Sequence, residues 1–144
     1  MILGIDPGPT ESAYCLWDGS KIHRMGVVFS QDIRHTLRPG MTVACEHLQC
    51  FGMAVGREVF ETAYWIGEFR GECRVSGLPF VRVMRTEIKM HFCNSMRAKD
   101  SNIRAALIDR FGAPGKKASP GLTYGLKGDI WSAFAIAVYA TDKQ

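Results

Sequence analysis

Three acids in this chain stand where chemistry would want them: Asp6, Glu46 and Asp129, each at the boundary of a strongly apolar element. Asp6 ends the run Ile2-Leu3-Gly4-Ile5 and is followed at once by Pro7-Gly8; Glu46 ends the apolar run 41–45; Asp129 opens the segment 130–140, apolar on nearly all sides. A lone Asp before a Pro-Gly turn is ordinarily a turn residue, and an Asp at a helix start is favoured by the positive end of the helix dipole. Three such acids gathered at one sheet edge carry a different meaning. Carboxylates that close repel, a divalent cation relieves the repulsion, and hard oxygen donors select Mg²⁺ or Mn²⁺. Two such ions activate a water and stabilise the leaving oxygen of an in-line displacement at phosphorus.

The elements that must position these acids follow from periodicity and turn residues. Residues 2–5 read as a strand, 13–17 as its hairpin partner and 21–29 as a third strand, which gives an antiparallel meander. Residues 31–37 suit a short helix broken by Pro39-Gly40, and 41–45 form another strand. Val55, Val59, Ala63 and Ile66 step at helical spacing, so 55–71 is a long amphipathic helix. Residues 79–84 alternate as a strand, which a helical crossover would set parallel to the 41–45 strand. Helices are expected near 86–93 and 99–111, the second capped at Asp100-Ser101. The segment 112–128, with two prolines, five glycines and Lys116-Lys117, reads as a mobile basic loop. The last helix must be buried, and Ala133, Ala135, Ala137 and Ala140 would let it lie close against a sheet. If the first and fourth strands are neighbours and that helix crosses both, the three acids meet.

Composition narrows the setting. A chain of 144 residues, 47% hydrophobic, is long enough for one substantial core and too short for two ordinary domains, so a single domain over 1–144 is expected. No run approaches the roughly 20 apolar residues of a membrane span, and the first residues lack the basic-then-apolar pattern of an export signal. An intracellular protein with no membrane partner is the expectation. The five cysteines (Cys15, Cys45, Cys50, Cys73, Cys93) include no CxxC pair and read as reduced, mostly buried thiols. Cys45, His47 and Cys50 lie close together, but no second ligand pair follows at zinc spacing.

Charge is distributed unevenly. Residues 1–81 carry seven Lys/Arg against nine Asp/Glu, a net of −2, whereas residues 82–127 carry ten against three, a net of +7. A basic band of this density, which includes Arg97, Lys116 and Lys117, suits a polyanion, of which nucleic acid is the commonest; the alternative is a solvated surface that keeps the protein soluble.

At the acids themselves the chain resembles a known family. Gly4-Ile5-Asp6-Pro7-Gly8, then Val43-Ala44-Cys45-Glu46, then Asp129-Ile130-Trp131-Ser132-Ala133-Phe134-Ala135-Ile136-Ala137 look like the motifs of RuvC-type Holliday junction resolvases of the ribonuclease H-like superfamily. The order and spacing agree over nearly the whole chain. Short phage and prophage members look especially similar through residues 46–69. The resemblance implies an α/β fold with a five-stranded mixed sheet, its first three strands antiparallel, flanked by helices. It also implies a cytoplasmic homodimer, in a bacterium or a phage-infected host cell, that cuts two strands of a four-way DNA junction with Mg²⁺, or Mn²⁺ in its place. Asp6, Glu46 and Asp129 match three of the family's metal ligands. The fourth, an Asp in the family, is Ser132 here, whose hydroxyl could hold a metal-bound water but adds no charge. Lys89 and Lys99 fall where the family carries basic residues near the scissile phosphate, Lys99 with a catalytic role. Phe51 stands near the family's junction aromatic and could stack on an exposed base; folding into the core is its other reading.

Two rival functions remain at this level. Ser132 suits a non-catalytic junction-binding accessory on the same fold. An Asp-Pro-Gly turn after a first strand also occurs in actin-like ATP-binding folds, which need two related domains.

Overall fold

In a computed structural model describing Met1–Gln144, the apolar N-terminal run forms β1 (Ile2–Asp6), followed by β2 (Glu11–Trp17) and β3 (Ile22–Phe29). A 3-10 helix, Ser30–Thr36, turns the chain into β4 (Thr42–His47). Then come α1 (Arg57–Val75), β5 (Phe80–Met84), α2 (Arg85–Cys93), α3 (Asp100–Phe111), the two-residue strands β6 (Gly115–Lys116) and β7 (Ser119–Pro120), and α4 (Asp129–Asp142). The main sheet has the order β3-β2-β1-β4-β5. β1 to β3 are an antiparallel meander, while β4 runs parallel to both β1 and β5. The expected five-stranded mixed sheet is therefore present.

Strand alternation sorts side chains between two cores. Ile2, Ala44 and Val83 join α4 in a cluster of 20 buried residues, whereas Leu3, Ile5, Val43 and Cys45 face the other way, with Ile66, Phe69 and Cys73 of α1, in a cluster of 11. Asp6 shares the parity of Ile2, and Glu46 that of Ala44, so both carboxylates emerge on the α4 face. The parallel register pairs Ile5 with Cys45, so the next residues, Asp6 and Glu46, stand side by side.

The depth of α4 is set by Gly4. A Cβ at that position would lie 2.2 Å from the Ala133 carbonyl oxygen and 2.8 Å from the Ala137 nitrogen. The glycine in β1 and the alanines in α4 together let helix and strand meet backbone to backbone, which brings the first turn of α4 to the end of β1. Trp17 seals the far side, edge-on to Phe134 at 5.2 Å and to Phe111 at 5.4 Å.

The structure shifts several expected boundaries. α1 starts at Arg57 rather than 55, because Gly56 is extended (φ −87°, ψ 179°), and it runs past Gly71 to Val75 because Cys73 is still buried. The short helix expected at 31–37 is a 3-10 turn closed by the Thr36 hydroxyl donating to the Ile33 carbonyl at 2.6 Å. The segment 112–128, expected as a mobile loop, is instead folded on itself: β6 pairs with β7, the Gly121 amide donates to the Pro114 carbonyl at 2.8 Å, and the buried Thr123 hydroxyl donates to the Gly112 carbonyl at 3.2 Å. Gly115, at φ +73°, supplies the backbone conformation this ribbon needs. Glycines and prolines that read as looseness are turn chemistry.

Candidate functional site

Asp6 leaves β1 into a turn that is pinned from behind. The Gly8 amide donates to the Ser12 hydroxyl at 3.2 Å, the Ser30 hydroxyl donates to the Gly8 carbonyl at 2.9 Å, and the two buried serine hydroxyls lie 2.8 Å apart. The position of Asp6 is thus held by β2 and the start of the 3-10 helix as well as by its own strand.

Asp6, Glu46, Asp129 and Ser132 come together at the end of β1. Burial pushes the Asp6 carboxyl up to about 7, reinforced by the negative charges of Glu46 and Asp129 and opposed by the Arg85 guanidinium and the Ser132 hydroxyl. Burial also raises Glu46, against the pull of Arg85 and of Lys89. Arg85 is the first residue of α2. One guanidinium nitrogen donates to Glu46 Oε2 at 3.3 Å, and another pairs with Asp100 at the start of α3.

Beside the acids a cleft of about 380 Å³ opens between the first turns of α3 and α4, lined in part by Arg85, Asp100, Ser101, Arg104, Asp129 and Ser132. Trp131 forms its apolar wall, with its indole N–H donating to the Leu126 carbonyl at 3.1 Å and the Arg104 guanidinium 4.9 Å over its ring.

The donor chemistry suits a hard divalent cation: the carboxylates of Glu46 and Asp129 act on Asp6 through their charge, the Ser132 hydroxyl hydrogen-bonds to it, and burial together with those charges raises the Asp6 carboxyl to about 7. The cage is not drawn closed, since no three His, Cys, Asp or Glu side chains stand in ligating positions around one point.

The other residues singled out in the sequence surround this centre. Lys89 is half-buried on α2 and acts on Glu46 through its charge. Lys99 is exposed at the N-cap of α3, its amide donating to Asn102 Oδ1 at 2.9 Å, one residue before the Asp100 that holds Arg85. Arg97 is exposed between α2 and α3, and Lys116 and Lys117 are exposed on the β6–β7 ribbon. Phe51 is 71% exposed in the loop after β4 and takes no part in the core. Glu61 lines a separate groove with Pro9, Phe29 and Trp65 on the α1 side. Trp65 packs there, its indole donating to the Pro9 carbonyl at 3.1 Å. Reading the sequence counted Arg85 and Arg104 only as members of a basic band. The available signal for Arg85 was positional: it directly follows a strand that pairs in parallel with the one ending in Glu46.

Comparison with known proteins bears on the fold. No protein-family model and no curated protein matches the sequence. Among solved structures, RuvC of Thermus thermophilus superposes with a TM-score of 0.68 at 16% identity, over 97% of this chain and 92% of that one. T. thermophilus RuvC in complex with a Holliday junction substrate gives 0.68 at 17% identity over the same shares. Over nearly the whole length of both chains, this chain has the fold of these RuvC structures.

Proposed function

We propose that this protein is a divalent-metal-dependent, structure-selective endonuclease that resolves Holliday junctions or related branched DNA by phosphodiester hydrolysis, acting in the cytoplasm as a homodimer of single-domain subunits. The observation that carries the reading is the convergence of Asp6, Glu46 and Asp129 at one end of the sheet in a RuvC-type fold. The neighbour whose structure contains a Holliday junction substrate supports branched DNA as the ligand class. No helix is long and apolar enough to cross a membrane.

When bound, Mg²⁺ or Mn²⁺ would supply an activated water and charge stabilisation at the leaving oxygen. The residues that would hold it are Asp6, Glu46 and Asp129, with the Ser132 hydroxyl in an outer position. Asp6, raised to about 7 in the metal-free protein, would release its proton on binding, so metal affinity falls as pH drops below that value. The pinned turn behind Asp6 and the buried body of α4 keep these groups from drifting, so little ordering is left to be done when substrate arrives. Lys89, Lys99, Arg97, Lys116 and Lys117 supply positive charge for the phosphates, Lys99 nearest the acids' side of α3, and Phe51 offers an exposed ring to a base at the branch point.

The test is a cleavage panel of four-way junctions, forks, flaps and linear duplexes with Mg²⁺ and with Mn²⁺, run beside Asp6→Asn. Junction cutting by the wild type and none by Asp6→Asn is expected; equal rates end the proposal. A second reading, a junction-binding protein without nuclease activity, is favoured by Ser132 and by the engagement of Glu46 with Arg85. Cleavage in Mn²⁺ that disappears in Asp129→Asn removes it.

A further inference from the structure

The acid cluster contains its own cation. Arg85 reaches Glu46 with one arm of the guanidinium and Asp100 with another, while its charge also bears on Asp6. The Arg85 side chain is three-quarters shielded, with 24% exposed, and the residue lines the cleft beside Asp129 and Ser132. It therefore faces the same cleft as Asp129 while holding Glu46. Asp100, by contrast, is 77% exposed at the first position of α3 and has solvent as an alternative partner.

Resting on the nuclease reading above, we propose that Arg85 is an exchangeable counter-ion: it holds Glu46 in the metal-free protein, yields it to the incoming divalent cation, and turns to a DNA phosphate in the cleft. Arg85 and a cation would compete for the negative charge of Glu46, whose Oε2 already accepts from the guanidinium at 3.3 Å, and the planar fork that fits a carboxylate fits a phosphate equally. The exchange also gives the cluster a way to exist before metal arrives, since three converging carboxylates without a counter-charge would repel one another. Arg85 is on this account a positioning residue for Glu46 first and a phosphate ligand second. Its two roles are exclusive in time.

Two measurements test this, neither of which reads cleavage. In Mn²⁺ titrations of the DNA-free protein, followed by calorimetry or by the loss of the free-ion electron paramagnetic signal, Arg85→Ala should bind about five- to tenfold more tightly than wild type. Arg85→Lys, which keeps the charge but cannot span both carboxylates, should also bind more tightly than wild type and serves if Arg85→Ala fails to fold. In junction-binding assays, Arg85→Ala should lose about tenfold in affinity with Ca²⁺ present, when the arginine is free for phosphate, and less than about twofold in chelator, when it is committed to Glu46. Mn²⁺ affinities unchanged in both variants, or an equal loss of junction affinity with and without Ca²⁺, overturn the proposal. Mn²⁺ binding and Asp6-dependent cutting with no dependence on Arg85 sink this inference alone, whereas no Mn²⁺ binding and no cutting by any variant sink the nuclease reading with it.

Discussion

The two helices that cover the sheet are held in very different ways. Over 14 residues α4 buries Ile130, Trp131 and everything from Ala133 to Ala140, whereas α1, 19 residues long, buries only Thr62, Ile66, Phe69 and Cys73. Phe60 and Tyr64 of α1 remain 68% and 57% exposed. Two glycines, one buried under α4 and one exposed on α1, have opposite meaning. A Cβ on Gly4 would strike the α4 backbone, while a Cβ on Gly67 of α1 would meet nothing within 4 Å. The helix that delivers Asp129 and Ser132 is thus clamped on every side, and the helix opposite is attached by one stripe. Precision has been concentrated where carboxylates must converge, and the other face is left with surface to spare.

The largest break in this contrast should come from Gly4→Ala. Displacing α4 from β1 is expected to cost about 3 kcal/mol or more, lowering the melting temperature by roughly 10 °C and abolishing junction cleavage together with it. A calorimetric scan checks the first and a cleavage assay the second. Gly4→Ala melting within 2 °C of wild type, on the order of the smallest resolvable change, would show that the close approach is not needed.

Next in size, Asp129→Asn and Asp6→Asn should each reduce cleavage by at least about 100-fold while leaving the fold intact, since ligand loss exceeds the 10- to 100-fold typical of outer-shell changes. On the proposed reading, in which the basic band rather than the acids holds phosphate, junction affinity in gel-shift assays should persist and fall steeply with salt in both.

Asp6 also supplies a pH signature for the metal-free protein. Its carboxyl rises from 3.8 in the unfolded chain to about 7 in the fold, so the folded state binds the extra proton between those values and stability falls as pH rises through that window. Between pH 4.5 and 8 the loss should be about 1 to 3 kcal/mol, and Asp6→Asn should reduce it to the part owed to Glu46, whose carboxyl burial also raises. Urea unfolding across that range gives the answer; a wild-type profile as flat as the variant's would mean Asp6 is ionised throughout.

The smallest effects belong to the open side of the comparison. Phe51→Ala should leave stability within about 0.5 kcal/mol and weaken junction binding by roughly fivefold, the low end for loss of one stacking base contact. Gly67→Ala on α1 should stabilise the protein by about 0.5 to 1 kcal/mol, opposite in sign to Gly4→Ala, because only helix propensity changes where there is open space.

Much of this architecture was readable because local patterns and global fold agree. The runs ending in Asp6 and Glu46 are short and continuously apolar, as strands buried on both faces are, and segment 130–140 is too apolar to be anything but buried. Gly4 was visible only as one letter of a motif, since its Cβ contact exists only once Ala133 and Ala137 are laid across β1. The segment 112–128 misled because glycine and proline mark turns without saying whether the turns close on one another. Arg85 was hidden for a related reason, its partners Glu46 and Asp100 lying 39 residues before it and 15 after it along the chain.

By itself, then, the sequence determined which residues could serve as acids, which elements carry them and that one helix must be sunk in the core, because hydrophobic periodicity and turn residues act locally. Only the tertiary structure decided that Asp6 and Glu46 stand level on the α4 face, that burial raises the Asp6 carboxyl to about 7 and that Arg85 reaches Glu46. Register, burial and charge pairing are properties of strands and helices already packed together, and no single stretch of chain contains them.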